Sequence, residues 1–422
     1  MIASSIFIIF ISATFLYLLG FQKQEATWQT LLELRKRAID LVNELLTKGS
    51  PENWEKESIL PSKVGIASLA YLIPILISDN SGYNRINEPV AQEIVFDEDC
   101  KNLAWNGTVR IFDENFNEVP FRFVNQTFCP SGFLQKAILF FEVNVSANST
   151  RKLQIFFYNS TQVNPKDYGN FSSLVMWLSF DEGSGNIAYD YSGNENNGAL
   201  YNGTTVCGGI DACPLWVDGK FGKAVSFDGI DDWIEVLNSD LLNPSLITVS
   251  LWVNVSSFGN SILLSKNYSS YQLSIDSNGY VQFYINESYI NSSFPLSIST
   301  WQNIVGRFNG SNIEIFINAI NAGSKLYSLS IPSNSLNLSI AAWQLTSFFN
   351  GTIDDVRIYN RALSEEEILS HYQQPLSIKI FPRTEVSLIS FDKIEALRNI
   401  SYDLLKDALQ KGYNFRVEIY EK

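Results

Sequence analysis

Residues 174–373 constrain the fold more than any other stretch of the chain. Eleven short segments rich in β-branched and aromatic residues follow one another, each bounded by Gly, Asn, Ser or Pro. They are Val175–Phe180, Ala224–Phe227, Trp233–Val236, Ile247–Val255, Ile262–Lys266, Tyr271–Ile275, Tyr280–Ile285, Trp301–Phe308, Ile313–Asn318, Leu336–Ile340 and Thr352–Tyr359. Strands this short and numerous predict one large jelly-roll sandwich of two sheets with its own core. A single helix closes it, opened by a capping box in which Ser364 caps and Glu367 answers three residues on. A smaller β-sandwich is predicted over residues 64–168, from Ala70–Ser78, Val90–Phe96, Val109–Asp113, Val119–Val124, Ala137–Val145 and Lys152–Tyr158. Leu69–Ser78 is apolar but too short to cross a membrane, and Pro74 interrupts it, so it is predicted as a buried edge strand. The expected fold class is mainly β.

Four blocks within 174–373 resemble the laminin-G-like, concanavalin-A-like jelly-roll family. They are Trp177-Leu-Ser-Phe-Asp-Glu-Gly-Ser-Gly, Asp190-Tyr-Ser-Gly-Asn-Glu-Asn-Asn-Gly, Phe221-Gly-Lys-Ala-Val-Ser-Phe-Asp-Gly-Ile-Asp-Asp and Gly351-Thr-Ile-Asp-Asp-Val-Arg-Ile-Tyr-Asn-Arg-Ala-Leu-Ser-Glu-Glu-Glu-Ile, in family order. The resemblance implies a lectin-like domain that binds carbohydrate or another surface ligand, often with calcium. A structural ion in this fold ties the first strand to the last, which implies Asp181 and Asp354 as its ligands. The usual Tyr-Val-Asn-Gly turn is replaced by Phe316-Ile-Asn-Ala-Ile-Asn-Ala-Gly, so an altered loop is expected there. Residues 64–168, through Tyr71-Leu-Ile-Pro-Ile-Leu-Ile, Arg110-Ile-Phe-Asp and Glu118-Val-Pro-Phe, resemble a small β-sandwich that precedes lectin-like domains in microbial surface proteins.

Charge narrows the function classes. The chain carries 30 Lys+Arg against 44 Asp+Glu, a net charge of −14 that argues against nucleic acid as a partner. Residues 174–373 hold 7 basic and 19 acidic side chains, so −12 of that charge lies in the predicted jelly roll. One histidine leaves little material for proton-shuttle chemistry. Glycoside hydrolysis needs two carboxylates facing one bond. No predicted strand has an acid-x-acid pair, and Asp231/Asp232 and Asp354/Asp355 are adjacent, so extended chain would send each pair to opposite faces. No catalytic residues are therefore expected, and calcium is the one expected cofactor.

Ile2–Gly20 has no charged residue and as a helix would span roughly 28 Å, so residues 1–22 are predicted as a single-pass membrane anchor, with a cleaved signal peptide as the alternative. Residues 23–63 are predicted as a helical stalk. Its seam of Leu31, Leu34, Ala38, Leu41 and Leu45 would pack either on the protein itself or on neighbouring subunits, a route to self-association. Fifteen Asn-x-Ser/Thr sequons occur where composition predicts roughly six. They are Asn106, Asn125, Asn144, Asn148, Asn159, Asn170, Asn202, Asn254, Asn267, Asn286, Asn291, Asn309, Asn337, Asn350 and Asn399, and they imply a glycosylated, extracellular bulk. The four cysteines, an even number in two local pairs, are expected to bridge Cys100 to Cys129 and Cys207 to Cys213. The second bridge would stiffen a rim or tether an exposed insertion.

Residues 376–422 are predicted as helix, helix and strand. Lys393-Ile-Glu-Ala-Leu-Arg-Asn-Ile-Ser-Tyr-Asp-Leu-Leu resembles the closing segment of archaeal, membrane-anchored, pilin-like surface proteins, and Leu46-Thr-Lys-Gly-Ser-Pro-Glu-Asn-Trp resembles their opening segment. The resemblance implies a host module split by a large insertion. No Lys/Arg-Gly processing site precedes the apolar stretch. The expectation is a cell-surface, membrane-anchored glycoprotein that presents a lectin-like domain. A structural subunit of a surface filament is the alternative, and a glycan-active enzyme the less favoured third.

Overall fold

The computed structural model describes residues 68–388, apart from 116, 160, 162, 170, 171, 209–212 and 374. Nearly all of it is antiparallel β-structure, in two sandwiches.

The jelly roll faces a nine-stranded sheet against an eight-stranded one. Inward residues of both sheets, among them Ile234, Leu273, Phe283, Leu251, Ile304 and Ile353, make one continuous core. Alternation along each strand sends every second side chain outward, as a two-sheet packing requires. The altered turn still closes a hairpin: Asn318 and Ala319, both at positive φ, join Ile317 to Ile320. The capping box forms as predicted. Ser364 Oγ accepts from Glu367 N–H, and the Glu367 carboxylate accepts from Ser364 N–H.

The small sandwich packs a six-stranded sheet on a three-stranded one around Ile75, Ile94, Phe121, Phe141 and Ile155. Two corrections concern its first strand, Ser68–Ser78. The strand is central, not an edge: Thr150–Tyr158 pairs on one side, and Ser377–Ile380 with Thr384–Leu388 pair on the other. Pro74 is tolerated because its carbonyl, and so its missing N–H, faces the break between those last two strands, where Phe381 N–H bonds to Pro74 O. The predicted small sandwich therefore lacked its final two strands, and 377–388 is strand where a separate C-terminal segment was expected. The jelly roll is inserted between Tyr158 and Ser377 of the small sandwich.

The expected membrane-anchored, pilin-like architecture is corrected. No helix among the described residues is long and apolar enough to cross a membrane. The one described α-helix, Glu365–Tyr372, has 8 residues, about 12 Å against a bilayer core of about 30 Å. The anchor at 1–22, the stalk at 23–63 with its self-association seam, and the helices and strand predicted after residue 388 lie outside the described residues. A single-pass membrane location, a membrane partner and self-association through an N-terminal helix thus find no support.

The two sandwiches share a buried junction. Phe140 of the small sandwich packs with Leu174, Val305, Phe316, Tyr359, Leu363 and Ile368 of the jelly roll. Arg85, fully buried, bonds Asp79 Oδ1 at 3.0 Å and donates to Ser370 O of the closing helix. Arg122 reaches across to Asn194 Oδ1 at 2.6 Å.

Candidate functional site

A cavity of about 180 Å³ lies at this junction, lined on the jelly-roll side by Trp177, Asp181, Phe221, Asp354, Asp355 and Arg357 and on the other by Glu88, Pro89 and Val90. It brings together the two carboxylates predicted as ion ligands. Asp181 follows the first jelly-roll strand, Leu174–Leu178, and Asp354 sits in the last, Asn350–Tyr359, which pairs with it.

The loop Gly219–Gly222 is built around these carboxylates. Phe221 N–H donates to Asp354 Oδ2 at 3.0 Å, and Lys223 N–H donates to Asp181 Oδ1 at 2.9 Å. A Cβ at Gly219 would stand 2.6 Å from Asp354 Oδ2, and one at Gly222 would stand 1.9 Å from Asp181 Oδ1. Gly222 also has φ +57, so both glycines are set by close approach. The Phe221-Gly-Lys block in the sequence is a cradle for two acids.

Asp354 is fully buried and its Oδ1 has no hydrogen-bond partner among the described residues. Burial, then Asp355 and Asp181 nearby, push its carboxyl up to about 8. Asp181, exposed at its rim, is also raised, first by partial burial. A buried carboxylate oxygen with no donor is costly unless a cation or proton meets it. Asp354 Oδ1 and the neighbouring Asp181 thus present oxygen atoms that a proton or a hard divalent cation would satisfy.

Asp355 corrects the sequence argument. It lies at φ +51 in a bulge where Asp355 and Val356 oppose the single residue Leu251. The bulge breaks strand alternation, so Asp354 and Asp355 line the same cavity instead of opposite faces. Asp355 is nonetheless engaged: it accepts from Trp177 Nε1 at 2.6 Å and pairs with Arg357 at 3.0 Å. Asp190 is structural. It accepts from the backbone of Trp177, Ser192 and Asn196, which explains its sequence block.

A second acidic group was missed. Ligand oxygens of Asp228, Asp231 and Asp232 lie within 4.8 Å of one another, a geometry able to hold a divalent ion. Asp232 is buried with Oδ1 unpartnered, and burial followed by Asp228 and Asp231 pushes it up to about 7. Two adjacent aspartates were visible in the sequence, but the turn that returns Asp228 to them was not.

Both predicted disulfides are present. Cys207 belongs to the jelly-roll core, so its bridge anchors the insertion to the core and does more than tether it. Of the sequon asparagines, Asn125, Asn144, Asn148, Asn159 and Asn291 are exposed. Asn106, Asn202, Asn254, Asn267, Asn286, Asn309, Asn337 and Asn350 are half-buried, and Asn170 and Asn399 lie outside the described residues. Nδ2 of Asn106, Asn202, Asn309 and Asn337 already donates to a neighbouring side chain.

No curated protein matches the chain. Among solved structures, domain 4 of AbnA, a GH43 extracellular arabinanase from Geobacillus stearothermophilus, in complex with arabinotriose, is similar at 19% identity over 48% of this chain and 99% of that one, with a TM-score of 0.40. The binding domain of Paraclostridial Mosquitocidal Protein 1 is similar at 19% identity over 47% of this chain and 52% of that one, TM-score 0.39. The botulinum neurotoxin type G receptor binding domain follows at 18% identity over 48% and 51%, TM-score 0.36. The chain thus spans about half the length of the two toxin domains. Residues 228–369 match the family Laminin_G_3, the concanavalin A-like lectin/glucanases superfamily, which places the inserted sandwich in the concanavalin-A-like jelly-roll fold.

Proposed function

We propose that the jelly roll is a carbohydrate-binding module that does not cleave its ligand, with calcium holding its first and last strands together at Asp181 and Asp354. Residues 228–369 and their lectin-type family support the binding role. The unpartnered, buried Asp354 Oδ1 is the observation that supports an ion there. Bound there, calcium would supply charge neutralisation between the two acids and fix the Gly219–Gly222 cradle. Non-catalytic binding is supported by the engagement of Asp355, which Arg357 and Trp177 hold, and by the backbone bonds that tie Asp181 and Asp354 to the loop.

The test is thermal unfolding of the whole protein, stripped with chelator and then titrated with calcium. Melting temperature should rise with calcium according to the ratio of free ion to its dissociation constant. Asp354→Asn should abolish most of the rise, while Glu366→Gln, at an exposed position of the closing helix, should leave it. No calcium response in metal-free protein would refute the ion. Hydrolysis of a polysaccharide, lost with Asp181→Asn, would refute the binder.

A further inference from the structure

The hairpin that joins Lys223–Asp228 to Asp232–Val236 turns through Asp228-Gly-Ile-Asp-Asp. Gly229, at φ +79, lets the chain reverse, and Asp228 N–H donates to Asp232 Oδ2 at 3.2 Å across the turn. That reversal brings Asp228 onto the adjacent pair, so that carboxylate oxygens of all three aspartates lie within 4.8 Å of one another. Asp228 pairs in register with Asn350 of the last jelly-roll strand. Asp354 lies further along the same strand, about 13 Å from Asn350, so the two acidic groups of the domain are separate.

Hydrogen bonds hold one oxygen of each carboxylate and leave the other. Asp228 Oδ1 accepts from Ile230 N–H at 2.8 Å and from Asp231 N–H at 3.4 Å, and Asp231 Oδ1 accepts from Asn202 Nδ2 at 2.9 Å. Asp228 Oδ2, Asp231 Oδ2 and Asp232 Oδ1 accept no hydrogen bond among the described residues. Asp232 points to a ligand most directly: it is 4% exposed, its Oδ1 is shut off from water without a donor, and it belongs to the set of close oxygens. No Lys, Arg or His among the described residues compensates. Burial, then Asp228 and Asp231, raise the Asp232 carboxyl, and only the Asp228 N–H opposes them. Three like charges around a buried, donor-free oxygen are costly alone. Asp228 is exposed and Asp231 half-buried, which leaves an ion a way in and room for water among its ligands. Oxygen donors of this charge on an irregular turn suit calcium, which takes about six to eight oxygens in flexible geometry, better than magnesium, which demands a near-ideal octahedron.

We propose that Asp228, Asp231 and Asp232 hold a calcium ion, distinct from the one read at Asp181 and Asp354. The inference stands on its own turn and does not rest on that reading. The ion fixes the turn beside Asn202, at the end of the neighbouring strand Gly198–Asn202, where Gly203 N–H also bonds Asp231 O at 2.7 Å. It braces a surface hairpin and not the first and last strands, so it adds the smaller share of calcium's stabilisation and is read by binding.

The experiment is calorimetric titration of the metal-free full chain near neutral pH, made without N-linked sugars because Asn202 is a sequon at the site. Calcium and magnesium are the probes. Asp354→Asn protein should still bind a calcium ion, and adding Asp228→Asn or Asp231→Asn should weaken that binding about tenfold or more; in the wild-type background the same changes should remove one bound calcium. Both substitutions keep an acceptor oxygen for the turn and relieve like charges, so metal-free Asp231→Asn protein should melt at or above the wild-type temperature. A lower one would mean that the carboxylate only braces the turn, and would overturn the proposal. Folded Asp354→Asn protein that binds no calcium, while wild type binds it, would overturn this site and leave the one at Asp181 and Asp354 standing. Binding unaltered by both Asp228→Asn and Asp231→Asn, or magnesium held as tightly as calcium, would also overturn it. Calcium binding that Asp354→Asn leaves unchanged and Asp231→Asn abolishes would support this site and refute the other.

Discussion

The outward faces of the two jelly-roll sheets differ in the chemistry of their side chains and in what packs on them. On the eight-stranded sheet the outward residues are large and apolar or charged in pairs: Phe316 lies under Arg307, Arg307 bonds Glu314 at 2.8 Å, and Tyr359 stacks on His371. Such groups repay burial only when a second layer supplies partners, and the small sandwich with the closing helix does so. On the nine-stranded sheet the outward residues are mainly Ser, Gln and Tyr, bonded to one another across strands (Ser265 to Gln272, Ser274 to Gln282) and along one (Tyr284 to Gln282). One face is committed to holding two sandwiches together. The other is built of small and amide side chains that bond one another.

This contrast can be broken most severely at the junction. Arg85→Ala should destabilise the protein by about 3–5 kcal/mol, because Asp79 and Glu88 would stay buried with their cation removed. Phe140→Ala should cost a similar amount by leaving a cavity in the shared cluster. Chemical denaturation measures both, and a loss below about 1 kcal/mol for each would show that the sandwiches are not welded. By comparison, Tyr289→Ala, at an exposed position of the other sheet, should change stability little.

Removing the Cys100–Cys129 bridge, which closes 29 residues, should cost about 3–4 kcal/mol, and removing Cys207–Cys213, which closes 6, about 2 kcal/mol. Paired Cys→Ser variants in urea give the two values, and the reverse order would contradict the loop-closure account.

A loss of stability in mild acid is expected from His371, the only histidine in the chain. It is buried between Tyr359 and Glu88 with neither ring nitrogen hydrogen-bonded. Burial, then Arg357, Arg85 and Arg361, holds its imidazole well below the ordinary value. The unfolded chain therefore gains a proton below about pH 6.5 that the folded chain refuses, and stability falls as pH drops through that range. Glu88, raised chiefly by burial, works in the opposite direction. The comparison that isolates His371 is wild type against His371→Gln between pH 7.5 and 5.0. The variant should lose the acid-side decline, and parallel curves would refute the assignment.

The smallest effect belongs to the closing helix, where Ser364→Ala should cost about 1 kcal/mol by uncapping it.

Much of this was legible in the sequence because it is local. Strand periodicity gave both sandwiches, the Ser364/Glu367 spacing gave the cap, and cysteine order gave both bridges. Asp181 and Asp354 were brought together by a resemblance, and the structure sets both against one cavity. What stayed hidden depends on distant pairing or on single backbone angles. Strands 377–388 join Ser68–Ser78 across some three hundred residues, so nothing nearby marks them as part of the small sandwich. The positive φ of Asp355 turns an adjacent pair onto one cavity against the alternation rule. The charge-free run at 2–20 was read correctly as apolar, but hydropathy alone does not establish a membrane span.

The difference between the two faces is tested most directly by hydroxyl-radical footprinting of the whole protein. The account predicts that Tyr289, 43% exposed, is oxidised while the buried Tyr359 and Phe316 are unreactive. Oxidation of Tyr359 and Phe316 as fast as Tyr289 would contradict it.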